Sequence, residues 1–203
     1  MAAPLPVPDF SDRRQFPGFR ETPTTAGPHV LLGTYKENMT IMRPTYIVED
    51  RDGVQFAMTF MIANDSPARP GFKKGAAVAL CGLAREEPAK AEAGAESSGK
   101  AGFVRVQPGE EARVVGLGRA PLDRFWAAAA AAAAGCAGCG KDDETQAMKR
   151  CTNCGWVKYC KKECQIEGWN NKGHKGDCRA FGMLQAALRG AEERGASEQV
   201  NEE

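Results

Sequence analysis

Between residues 54 and 62 the chain alternates: Val54, Phe56, Met58, Phe60 and Ile62 are apolar, and Gln55, Ala57, Thr59 and Met61 stand between them. A period of two residues marks a strand with one buried face. Upstream, residues 45–48 form a second β-type run. The connecting Glu49-Asp50-Arg51-Asp52-Gly53 carries the Asp-Gly signal of a hairpin. Residues 30–35, 76–81, 103–107 and 112–117 are further short β-type runs with no helical pattern between them. Together they predict a small antiparallel β-barrel or sandwich, OB- or SH3-like, over residues 29–118. Barrel closure is the expected way to hide the edges of such short strands. Inside this region, residues 86–101 read EEPAKAEAGAESSGKA. That stretch is too polar and small-residue-rich to pack, and is expected to be a flexible loop.

The pattern changes on either side. Residues 1–28 hold six prolines and few aliphatic side chains, the composition of a disordered leader. Within it, PLPVP at 4–8 suits a polyproline segment, with an unengaged tail as the expected state and an intramolecular or partner-chain ligand as the alternative. Residues 119–135 predict a helical connector, in which Pro121 and Leu122 open a run of eight alanines ended by Gly135. Leu122, Phe125 and Trp126 share one face of it, expected to dock on the barrel. Residues 179–190 have apolar positions at roughly helical spacing, weakened at Gly182, before an acidic tail expected to fray.

Composition narrows the function. The chain has 203 residues and a formal net charge of +1, room for one compact domain and an appendage. No apolar run approaches the roughly 20 residues needed to span a bilayer. Near-neutral charge gives no bulk attraction to nucleic acid or anionic membrane. Phosphate-cradling loops, G-x-S-x-G and H-E-x-x-H are all missing. His29 is expected to be a solvated strand-end residue rather than a base, so the chain is not expected to be an enzyme. Cys81, isolated in an apolar run, is expected to be buried and inert.

The chemistry is concentrated between residues 136 and 178. Here Cys136, Cys139, Cys151, Cys154, Cys160, Cys164, His174 and Cys178 are spaced C-x2-C, C-x2-C, C-x3-C and H-x3-C. A C-x-x-C turn brings two thiolates to one ion at about 2.3 Å. Gly140 and Gly155 follow the first two pairs and allow the positive φ that such turns use. The other two pairs have the i,i+4 spacing of one helical face. Eight ligands make two closed tetrahedral sites, with no position left for an activated water, so the metal is structural. An opening without a charged and then apolar leader implies an intracellular chain, nuclear or cytoplasmic, in which thiols stay reduced. Spacing alone permits either sequential or interleaved pairing of the ligand pairs.

This segment resembles a MYND-type zinc finger. The ligand order carries the resemblance, together with Val157, Tyr159 and Cys160, then Cys164, Gln165 and Trp169, then His174, Lys175 and Cys178. The resemblance implies an interleaved cross-brace binding two Zn2+. Cys136, Cys139, Cys160 and Cys164 hold one ion; Cys151, Cys154, His174 and Cys178 hold the other. Nine residues separate Cys164 from His174, more than is usual in that family, so a bulge is expected after Trp169. The resemblance also implies an adaptor in transcriptional or regulatory complexes, with a proline-containing peptide of a partner protein lying along the hairpin beside Gln165 and Trp169. Tyr159 is expected in the core, and Trp156 is given no role. The competing readings are nucleic-acid binding through the β-barrel and a cofactor role in ubiquitin ligation.

Overall fold

The computed structural model describes residues 5–66, 72–87, 101–118, 122–141 and 148–200, with side chains described to residue 191. Most of the loop expected at 86–101 lies outside these residues. The chain divides into two compact units, one of Met1–Asp9 with Asp123–Ala186, the other of Phe10–Leu122 with Ala187–Glu203.

The larger unit is built on six strands: β1 (Val30–Asn38), β2 (Thr45–Asp50), β3 (Gln55–Phe60), β4 (Ala77–Cys81), β5 (Phe103–Val106) and β6 (Val114–Gly116). Their order in the sheet is β5-β3-β2-β1-β4-β6. The alternation read from the sequence holds: Phe56, Met58 and Phe60 are fully buried with Leu31, Val48, Val78, Leu80, Val104 and Val106. The antiparallel expectation needs one correction. β5 pairs with β3 in parallel, so the sheet is mixed and half-barrel-like, with β5 and β6 at its ends. Chain direction explains this. In the finished sheet β4 lies between β1 and β6, and β5 takes the free edge of β3. Since β4 runs opposite to β3, it finishes level with the start of β3, and a strand entering there runs parallel to it.

Part of the leader expected to be disordered over residues 1–28 contributes to this core. Phe16 and Phe19 are fully buried, and Phe19 stacks on Phe56 with ring centroids 4.4 Å apart. Phe19 opens a single 3-10 turn, Phe19–Glu21, fastened by the buried carboxylate of Asp50. That group accepts from the backbone N–H of Phe19 (2.6 Å) and from those of Asp52 and Val54 (2.8 Å each). One side chain thus shapes the β2–β3 turn, where Gly53 takes φ 76°, and pins the leader to it. Such charge-assisted bonds are among the stronger single contacts in a fold. His29 is also buried, not solvated: its Nε2 lies 3.1 Å from the Leu83 carbonyl. Burial pushes its imidazole below the usual histidine range. Cys81 is buried, as read from the sequence.

The smaller unit contains α1 (Leu122–Ala134, of which Leu122 is grouped with the sheet), the two-stranded hairpin β7 (Lys149–Arg150) and β8 (Lys158–Tyr159), and α2 (Lys162–Asn170). α3 (His174–Val200) starts in it and runs on through Gly182 without a break. Phe125, expected to dock on the barrel, packs edge-on against Phe181 of α3 at 5.6 Å.

Candidate metal centre

The metal ligands arrive on four short pieces of chain. Cys136 and Cys139 follow α1; Cys151 and Cys154 lie in the turn of the β7–β8 hairpin. Cys160 and Cys164 straddle the start of α2, and His174 and Cys178 form the first turn of α3. Gly140 (φ 74°) and Gly155 (φ 68°) close the two cysteine turns. Their N–H groups donate to the carbonyls of Cys136 and Cys151 at 2.8 Å each. That is the left-handed geometry expected from their positions. The residues between Cys164 and His174 are absorbed by a final turn of α2 and a reversal at Gly173, φ 84°.

Folding gathers the ligands into two clusters, Cys136/Cys139/Cys160/Cys164 and Cys151/Cys154/His174/Cys178, each with its ligand atoms within 4.8 Å of one another. The pairing is therefore interleaved, and the sequential alternative falls away. The donor separations fit a tetrahedral ion. Four sulfurs at about 2.3 Å from one zinc stand about 3.8 Å apart. The Sγ atom of Cys160 lies 3.6, 3.7 and 3.4 Å from those of Cys136, Cys139 and Cys164. In the second cluster Cys151 and Cys178 are 3.7 Å apart, and Cys154 Sγ lies 3.8 Å from His174 Nε2. A disulfide needs about 2.05 Å, and all eight cysteines are free. The clusters are two zinc sites with all-protein ligand sets.

Close glycine contacts hold the two halves together. A Cβ on Gly138 would collide with the backbone and Cβ of Cys164, and one on Gly168 would come within 2.6 Å of the Tyr159 ring. The backbone also tunes the thiols. Burial alone would push Cys136 up, but N–H groups of Cys139, Cys160 and Gly138 outweigh it and bring the thiol down to about 6. Burial dominates at Cys154, pushing it up to about 12, with the thiolates of Cys151 and Cys178 adding to the effect. Burial also lowers His174, favouring the neutral imidazole that a metal requires.

Several supporting residues carry no signal readable in the sequence. Asn153 donates to Cys178 Sγ at 3.2 Å, and Gln185, buried on α3, donates to the Cys154 carbonyl at 2.5 Å. Phe181 packs against Trp156 at 5.3 Å and lies near-parallel to His174 at 6.4 Å. These contacts extend the metal module past its last ligand. Tyr159 is buried as expected, and both its hydroxyl and His174 Nδ1 lack a hydrogen-bond partner among the described residues.

Gln165 and Trp169 lie one turn apart on α2, both exposed. Trp169 is 37% accessible, with its edge toward His174 at 5.5 Å, and Ile166 between them is 52% accessible. Neither Gln165 nor Trp169 reaches a metal cluster as a ligand. A groove of about 340 Å³ is lined by Ala128 and Ala132 of α1, Val157, Gly168, His174 and Phe181.

Comparison with known proteins agrees with this geometry. Residues 136–178 match the family model of the MYND finger. That segment is a MYND finger. A search of curated proteins finds none that matches the chain. The family match covers the eight ligands and stops before Phe181 and Gln185. No helix among the described residues is long and apolar enough to cross a membrane.

Proposed function

We propose that the MYND finger is a zinc-dependent adaptor, with no catalytic site, that docks a proline-containing segment of a partner protein on α2 and the adjoining hairpin. The observation that carries this reading is the contrast between the finger's two faces. Every metal ligand is spent on a closed site, so the zinc has no open position for chemistry. What remains is a surface on which Gln165, Ile166 and Trp169 are exposed together on a helix of nine residues. An exposed tryptophan beside an aliphatic side chain is an unusual investment for a solvated helix. It suits the flat, preorganised surface of proline, and Gln165 supplies hydrogen bonds beside it. The sheet unit then serves as a scaffold or second interaction surface.

The test is calorimetric titration of the zinc-loaded chain with proline-containing peptides, in parallel with Trp169→Ala. Loss of affinity by tenfold or more in the variant, with two zinc ions retained, supports the reading. Undiminished binding excludes this surface, and loss of zinc together with binding makes Trp169 a structural residue.

A further inference from the structure

The finger already holds a proline-containing segment. Trp156, fully buried just ahead of β8, donates its indole N–H to the carbonyl of Leu5 at 3.1 Å, across 151 residues of sequence. Met1–Asp9 is grouped with the finger, while Phe10 begins the other unit. We propose that Trp156 is a second peptide-receiving position of the finger, separate from Gln165 and Trp169, and that residues 5–9 of this chain, LPVPD, are its resident ligand.

The segment has the character of a ligand more than of a structural element. All eight metal ligands come from residues 136–178, so both zinc sites close without it. Residues 5–9 adopt no helix and join no strand. Pro6 and Pro8 have no N–H to offer and hold the backbone extended, leaving carbonyls such as that of Leu5 available to an outside donor. The segment also lies with one side inward: Leu5, Val7 and Pro8 are half-buried, and Pro6 and Asp9 are exposed. On the receiving side, the Trp156 ring is backed by Phe181 at 5.3 Å, which fixes the indole with its N–H toward Leu5. A buried indole N–H left without an acceptor is costly, so the site demands a carbonyl. An indole donor with apolar surroundings, facing an extended proline-containing backbone, is the chemistry of polyproline recognition. Covalent attachment then keeps the site filled at an effective concentration that a free peptide matches only in large excess.

The experiment compares the intact chain with one lacking residues 1–9, both zinc-loaded, each titrated with a synthetic peptide of residues 1–10. Binding is followed by calorimetry and by the indole N–H resonance of Trp156. The shortened chain should keep two zinc ions and bind the peptide saturably, with a shift of the Trp156 resonance. In the intact chain the Trp156 resonance should not shift over the same concentrations. Affinity should fall at least tenfold in Trp156→Phe, which keeps an aromatic ring but removes the donor. A peptide carrying Pro6→Gly and Pro8→Gly should bind at least tenfold more weakly to the unsubstituted shortened chain, a test that does not depend on Trp156→Phe folding. The proposal is overturned if the shortened chain loses zinc, since residues 5–9 are then structural. It fails equally if the zinc-loaded shortened chain ignores the peptide, or if the peptide perturbs Trp169 instead of Trp156.

Discussion

Phe181→Ala tests how far the metal module extends beyond its ligands. Phe181 lies outside the matched segment, yet it is 1% exposed and its ring meets Phe125, Trp156 and His174 at 5.6, 5.3 and 6.4 Å. Removing a buried phenylalanine costs about 3–5 kcal/mol in all. A finger of this size buries too little apolar surface to fold alone, so its folding free energy and its zinc-binding free energy are the same quantity. A loss of about 3–5 kcal/mol then appears as zinc affinity weakened by about two to four powers of ten, since each tenfold is about 1.4 kcal/mol. Structural zinc contributes on the order of 10 kcal/mol or more, so the variant still folds when zinc is in excess. The assay is competition against a chromophoric chelator, with zinc per chain counted at saturation. Two ions at saturation with a strongly weakened affinity is the expected result. An affinity within threefold of the parent refutes the reasoning, because α3 beyond Cys178 is then not coupled to the metal sites.

Gly168→Ala puts a Cβ 2.6 Å from the Tyr159 ring. Overpacking of this kind costs about 1–3 kcal/mol, which should weaken zinc binding by about one to two powers of ten; an unchanged chelator titration contradicts the contact. Acidification should empty the finger, because protons compete with zinc for its thiolates and its imidazole. Cys136, held down to about 6, lends stability that is complete above the ordinary thiol range and lost as pH falls through 6. His174, lowered by burial, acts in the same direction below its ordinary value of 6.5. Retention of both ions down to the carboxylate range near pH 4, followed with a zinc indicator, is the result that excludes this.

The local patterns were legible because their causes are local. A strand period of two, an Asp-Gly turn, a run of alanines and cysteines two residues apart each state a backbone geometry within a few residues of themselves. They located the strands, α1 and every metal ligand. Choices between remote pieces of chain left no such mark. The interleaved pairing of the zinc ligands was suggested only by family resemblance, and the fold decided it by laying Cys160 and Cys164 against the first cysteine turn, a fit that Gly138 permits. The parallel β5 followed from its place at the free edge of β3. Phe16 and Phe19 were hidden by their proline-rich surroundings; remote groups tie them down, the carboxylate of Asp50, 31 residues away, and the ring of Phe56 for Phe19, and the Arg51 guanidinium on the carbonyl of Phe16. Trp156 drew no attention for the same reason: its acceptor lies at the opposite end of the chain. Spacing along a chain determines which atoms can grip a metal, whereas burial and hydrogen bonding between distant segments depend on where the folded backbone brings them.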